Sequence, residues 1–144
     1  MLKVKDMSRG EMVALLLRRK MGHLGCSRDG LPYVVPMNYA FDGADLYFFT
    51  TEGTKTEFIA ANHEVCFQVE EIADALRWSS VMVFGRAERV VKPEETERAM
   101  SLLVERDPTL TPALNETKIG AWRRLSNVAI YRVRQRSICG RQTA

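Results

Sequence analysis

A chain of 144 residues, 46% of them hydrophobic, has room for one domain with one real core and too little for two, so residues 1–144 are read as a single domain. Its 21 basic and 18 acidic residues leave a net charge of +3 and are interspersed, which argues against a long basic arm for nucleic acid. No apolar run approaches the length of a membrane span, and Met1 to Asp6 is too polar and short to begin a secretory signal, so a soluble, cytoplasmic protein is expected.

Ser8 followed by Glu11 is a capping box, and Met12, Leu15 and Leu16 recur at helical spacing before Arg18-Arg19-Lys20, which predicts an amphipathic helix over Arg9 to Arg19. Gly22 releases the chain into a short strand, His23 to Ser27. Arg28-Asp29-Gly30 is a turn signal, and Leu31 to Phe41 reads as a second strand interrupted by Pro32 and Pro36. Proline donates nothing to a ladder, so two in one strand imply an edge, a bulge or an opening in the sheet. Asp42-Gly43-Ala44-Asp45 turns the chain into Leu46 to Thr51, rich in aromatic and β-branched residues, and the three strands together read as a β-meander.

Glu52-Gly53 then leads into Thr54 to Ala61, which has helix chemistry and a stop at Asn62. Thr54 with Glu57 three residues on is read as a second capping box. A helix start gathers free N–H groups and the positive end of the helix dipole, and Lys55 adds a full positive charge in the first turn, where lysine is otherwise disfavoured. The sum is an anion site, most simply for a phosphate. The competing reading is an ordinary strand-to-helix turn with a solvated lysine, because the stretch lacks the length and ending of a P-loop.

Val65 to Glu70 alternates as a half-buried strand, Ile72 to Arg77 reads as a connection, and Trp78 to Val91 as one long strand with a bend or bulge at Gly85. Pro93 and the glutamates after it start a helix that runs to about Arg106, where Asp107-Pro108 ends it. Thr109 to Leu125 reads as a loop with a short helix around Trp122, and Asn127 to Arg134 as a last strand. The C-terminal arginines Arg123, Arg124, Arg132, Arg134, Arg136 and Arg141 fit a solvated surface better than a nucleic-acid site. Six strands with short turns cannot be a doubly wound sheet, since parallel neighbours need crossovers, so the expectation is a mainly β fold: a six-stranded antiparallel barrel with accessory helices.

Cys26, Cys66 and Cys139 are odd in number and form no CxxC pair, which fits reduced thiols better than disulfides or a zinc site. His63 follows a helix stop and reads as a surface residue; His23 reads as a packing residue. No metal is expected.

Gly30 to Tyr39, Leu46 to Lys55, Val65 to Phe67 and Ser80 to Ala87, in that order, resemble the FMN-binding split barrel of the pyridoxamine 5′-phosphate oxidase-like superfamily, nearest to the nitroimidazole-resistance branch. The resemblance covers residues 10 to 91 and, more weakly, the last strand. It implies a homodimer with FMN in the clefts between subunits. Lys55 would then pair with the flavin phosphate, with Thr50, Thr51 and Thr54 supplying hydroxyl or backbone donors. Pro36, Met37, Asn38 and Tyr39 would border the isoalloxazine, and Trp78, Ser79 and Ser80 would approach from the partner chain. Taken singly, each has a structural reading: Tyr39 and Trp78 as core, Asn38 at a bulge, Ser79 and Ser80 as surface polar residues. The chain departs from pyridoxamine 5′-phosphate oxidase itself, because Ser79 and Ser80 stand where an Arg-Gln pair is expected. The resemblance thus implies an FMN-dependent oxidoreductase for a small acceptor, nitroaromatic or quinone-like, rather than vitamin B6 oxidation. The alternatives are a non-catalytic flavin or haem carrier or stress protein on the same barrel and, ranked lowest, a nucleic-acid-binding barrel.

Overall fold

The computed structural model describes residues 1–106 and 128–144. In chain order the elements are β1 (Val4–Asp6), α1 (Arg9–Arg18), β2 (Met21–Arg28), β3 (Leu31–Asn38), β4 (Ala40–Phe41), β5 (Leu46–Thr51), α2 (Thr54–Ala61), β6 (Glu64–Asp74), β7 (Arg77–Arg89), α3 (Pro93–Arg106) and β8 (Val128–Thr143). The fold is mainly β, as expected, but with eight described strands in place of six. The loop and short helix read around Trp122, with Arg123 and Arg124, lie outside the described residues.

All strand pairs are antiparallel, in the order β3-β2-β6-β7-β8-β5-β4, with β1 joined to the far end of β8. β3 and β4 stand at opposite ends of this order although only Tyr39 separates them in sequence. The sheet is therefore curled until its ends meet through one residue, and the β3–β5 seam is left without a hydrogen-bonded ladder. This is a split barrel.

The single strand expected over Leu31 to Phe41, and the meander built on it, are corrected here. β3 folds back on β2 alone, through a turn in which Asp29 (φ 51°) and Gly30 (φ 79°) both occupy the left-handed region, as a two-residue hairpin requires. Pro32 and Pro36 lie four apart, so both missing N–H groups face the side away from β2, and a ladder cannot continue there. Tyr39 is pulled inward at the break: its N–H donates to the Lys20 carbonyl (3.0 Å) and its buried hydroxyl to the Leu16 carbonyl (2.8 Å). Beyond it, β4 pairs with β5.

Two further expectations are corrected. Ile72 to Arg77 is the tip of a β6–β7 hairpin, where Asp74 accepts the Leu76 N–H at 2.8 Å and pairs with Arg77 at 2.6 Å. The last strand runs on to Thr143, because β7 and β1 both supply partners beyond Arg134. The bulge expected at Gly85 is present. The register skips a residue of β8 between Phe84 and Gly85, and a Cβ on Gly85 would lie 2.4 Å from the Arg134 carbonyl oxygen.

Alternation places Leu24, Phe67, Val69, Val81, Val83 and Phe48 inside the barrel, with α1 adding Leu15 and Leu16. Each such side chain contributes roughly 1.5–3 kcal/mol by leaving water. Phe49, one residue from Phe48, faces the other way and packs with Met100 and Ile130 under α3. β5 is thus covered on both faces, which fixes the strand that leads into α2.

Candidate functional site

The seam of the barrel is where backbone groups are left over. β3 pairs on one side only, so the main chain of Val34, Pro36 and Asn38 faces the seam. Across it β5 ends at Thr50 and Thr51, and the chain turns at Gly53 into α2. Thr50 is buried and its hydroxyl donates to the Thr51 carbonyl at 3.3 Å; the Thr51 and Thr54 side chains are exposed.

The second capping box is corrected by one residue. Gly53, not Thr54, is the N-cap, and the threonine that acts is Thr56, whose hydroxyl accepts the Gly53 N–H and donates to the Gly53 carbonyl, both at 2.9 Å. No side chain caps the first-turn N–H groups of Thr54, Lys55 and Thr56. They converge with the dipole on one point, and Lys55, partly buried beside them, has no ion-pair partner among the described residues. The helix start read from the sequence is present, and no side chain among the described residues caps its first-turn N–H groups.

A second cation lies close by. The Arg28 guanidinium sits over the Phe58 ring, 4.7 Å from its centroid, and Tyr33 packs on the same ring at 5.4 Å. Asn62 at the end of α2 donates to the Ser27 hydroxyl at 3.2 Å, tying the helix to the strand that carries Arg28. Sequence reasoning took Arg28 only as the start of a turn; nothing in the local pattern places it against a helix thirty residues later.

The side chains of Met37 (8% exposed) and Tyr39 (1% exposed) belong to the core. The Met37 main chain is turned to Gly22 of β2 rather than to the seam, and the Tyr39 N–H is already taken by the Lys20 carbonyl, so neither residue presents a side chain or an N–H at the border expected of it. Pro36 and Asn38 keep the outward direction. On β7, alternation turns Trp78 and Ser80 to the outer face and Ser79 to the inner one, so these three do not form one surface within a chain.

Ser80 instead joins a polar row missed from sequence. The Gln68 amide nitrogen donates to the Ser80 hydroxyl (2.9 Å) and to the Glu70 carboxylate (3.1 Å), and its oxygen lies 3.1 Å from His23 Nδ1. Because that nitrogen is committed as donor, the oxygen accepts, and His23 must carry its proton on Nδ1. His23, expected to pack, is thus a hydrogen-bonded residue on the outer face, directly across from Pro36 on β3.

Two of the cysteines are poor nucleophiles: burial pushes the Cys26 and Cys66 thiols up. Most arginines of the last strand are spent on carboxylates, Arg132 and Arg134 on Glu88 at 3.2 Å and Arg136 on Glu64. This fits the solvated surface expected of them. A cleft of about 660 Å³ among the described residues lies apart from the seam, between α3 and the outer face of β5 and β8, where Tyr47 and Arg132 face glutamates of α3. It offers no open main chain, and we place the candidate site at the seam.

A model of the pyridoxamine 5′-phosphate oxidase family matches residues 8–142. An uncharacterized protein of Rhizobium meliloti is 39% identical over 83 residues, a span of 58% of this chain and 55% of that one, so the match extends over about half the length of the relative. Among solved structures, a FAD-binding protein from Mesorhizobium loti superposes with a TM-score of 0.79 at 28% identity, covering 100% of this chain and 99% of that one. A candidate 5-nitroimidazole antibiotic resistance protein from Bacteroides thetaiotaomicron shares the fold (TM-score 0.81, 20% identity, 99% and 89% covered), as does the FAD-binding protein of Mycobacterium smegmatis (0.73, 23%, 96% and 98%). With its split barrel, its open β3 edge and a family match that spans nearly its whole length, the chain belongs to the pyridoxamine 5′-phosphate oxidase family.

Proposed function

We propose that the seam holds the phosphate and ring of FMN, that two copies of the chain enclose it, and that the protein is an oxidoreductase for a small electron acceptor of nitroaromatic or quinone-like type. The observation that carries this reading is the uncapped start of α2, with Lys55 beside it paired to no carboxylate among the described residues, next to the unladdered edge of β3. The description of the Mesorhizobium loti relative as FAD-binding supports a flavin cofactor.

A bound flavin supplies the electron transfer; the chain supplies position and shielding. Lys55 neutralises phosphate charge, and the N–H groups of Thr54 to Thr56 with the hydroxyls of Thr51 and Thr54 donate to its oxygens. The Pro36 carbonyl and the Asn38 main chain face the ring edge, and Met37, buried between them, backs it. Trp78 and Ser80, from the partner copy, give a flat wall and a polar contact, and Ser79 completes that segment. With Ser79 and Ser80 in place of an Arg-Gln pair, the chain lacks a grip for a second phosphate, and we therefore do not assign vitamin B6 oxidation. Three free cysteines fit a reducing, cytoplasmic setting.

The test is the absorption spectrum of the freshly purified protein, before and after addition of FMN, with its mass in solution. A flavin spectrum on a dimer is expected; colourless protein that takes up no FMN overturns the reading. Anaerobic reduction followed by stopped-flow mixing with nitroaromatics and quinones separates the enzyme from a carrier. A carrier reoxidises with none of them faster than with dissolved oxygen.

A further inference from the structure

A cation drawn partly out of water without a counter-charge lowers stability, so a folded chain normally sets a carboxylate beside it. Among the described residues three basic side chains are partly buried: Arg28, Lys55 and Arg132. Arg132 follows the rule, with Glu88 at 3.2 Å. Arg28 and Lys55 do not, and no described residue forms an ion pair with either. Both lie along α2. Phe58, under the Arg28 guanidinium at 4.7 Å, stands three residues after Lys55 on α2, and residues at that spacing share a helix face. The Tyr33 ring and the Asn62–Ser27 bond hold strand and helix together at this point, so the guanidinium is placed by packing, and among the described residues no carboxylate pairs with it.

We propose that Arg28 is the second anion-binding residue of the flavin site, sharing with Lys55 the charge of a terminal phosphate monoester and making the chain select phosphorylated over unphosphorylated flavin. This rests on the flavin reading above. A phosphate monoester carries about −1.5 to −2 charges at neutral pH, which one lysine leaves half compensated and a lysine with an arginine matches. The planar guanidinium can offer two parallel donors to phosphate oxygens while its face stays on Phe58, a division of labour that an ammonium cannot perform.

Wild type, Arg28→Gln and Arg28→Lys are titrated with FMN and with riboflavin by flavin fluorescence at low and high salt, with apo melting curves recorded for each. Wild type is expected to bind FMN more tightly than riboflavin. Arg28→Gln should weaken FMN about tenfold or more, as loss of a charge-assisted hydrogen bond does, leave riboflavin within about twofold and flatten the salt dependence of FMN binding. Arg28→Lys should recover part of the loss. If Arg28→Gln weakens FMN and riboflavin equally, Arg28 merely props Phe58 and the proposal falls. It falls too if FMN affinity is unchanged, or if wild type binds riboflavin as well as FMN, and in those three cases the flavin reading survives. Wild type that binds neither compound overturns both.

Discussion

The two short helices that flank the barrel begin in opposite ways. At α1 the protein closes its own helix start: the Ser8 hydroxyl accepts the Glu11 N–H at 3.2 Å, and the Glu11 carboxylate accepts the Ser8 N–H at 2.9 Å. A third contact, from the Gln142 amide at 2.8 Å, takes the other carboxylate oxygen. At α2 the cap is a glycine, the nearby threonine serves only that glycine, and the first-turn donors are left pointing outward. One start is built for stability; the other forgoes that stability and keeps its donors free. The difference marks where a ligand belongs better than the depth of any cleft does.

The largest test of this contrast is to close the open start. Gly53 has an extended backbone (φ 170°) that any residue adopts, and a Cβ there would meet nothing within 4 Å, so Gly53→Asp is accommodated without strain. An aspartate N-cap is worth a few tenths of a kcal/mol more than glycine, so the apo melting temperature should hold or rise slightly. FMN affinity should drop by about tenfold or more, because the carboxylate occupies the donors and repels phosphate. A variant that is stabilised and still binds FMN normally would separate the helix start from the site.

Opening the closed start is the converse. Ser8→Ala should cost about 1 kcal/mol in denaturant unfolding and leave FMN binding unchanged, since α1 touches the seam only through Leu16. The smallest effect concerns acid. The Glu11 carboxyl is held down to about 2, against an ordinary 4.5, first by Gln142 and then by the Ser8 N–H and hydroxyl. A carboxylate depressed by folding stabilises above its ordinary range and loses that contribution as pH falls from about 4.5 towards 2. Unfolding curves should therefore show wild type ahead of Glu11→Gln near neutrality and the gap closing over that interval. Glu11 is fully exposed, so the gap is small and shrinks further in salt.

These two starts also show what local sequence can and cannot say. Ser8-x-x-Glu11 was legible because every partner of the motif lies within one turn. So were the Asp29-Gly30 turn, which depends on backbone freedom alone, and the Gly85 bulge, announced by a glycine inside a strand pattern. At α2 the same rule pointed to Thr54 with Glu57, whereas the helix starts one residue earlier on a glycine that has no side chain to show in such a pattern. The break at Tyr39 escaped for a different reason. The prolines announced an interruption, but where the chain goes afterwards depends on β5 finding β8, a pairing of residues some eighty apart. Arg28 on Phe58 and the row from His23 through Gln68 to Ser80 are cross-strand or strand-to-helix contacts of the same kind, invisible until the register is known. The seam itself was foreseen from proline chemistry; the residues that line it from elsewhere were not.

Tyr39 joins the two rims of the barrel as a single covalent stitch, and its hydroxyl is fastened to the turn of α1 that also carries Leu16. A mouth knotted at one corner cannot widen evenly, as two free strands would. It can gape only away from the knot, towards Leu31 and the front of α2, so a guest would be drawn in tail first and its flat end would come to rest last, against the corner that does not yield.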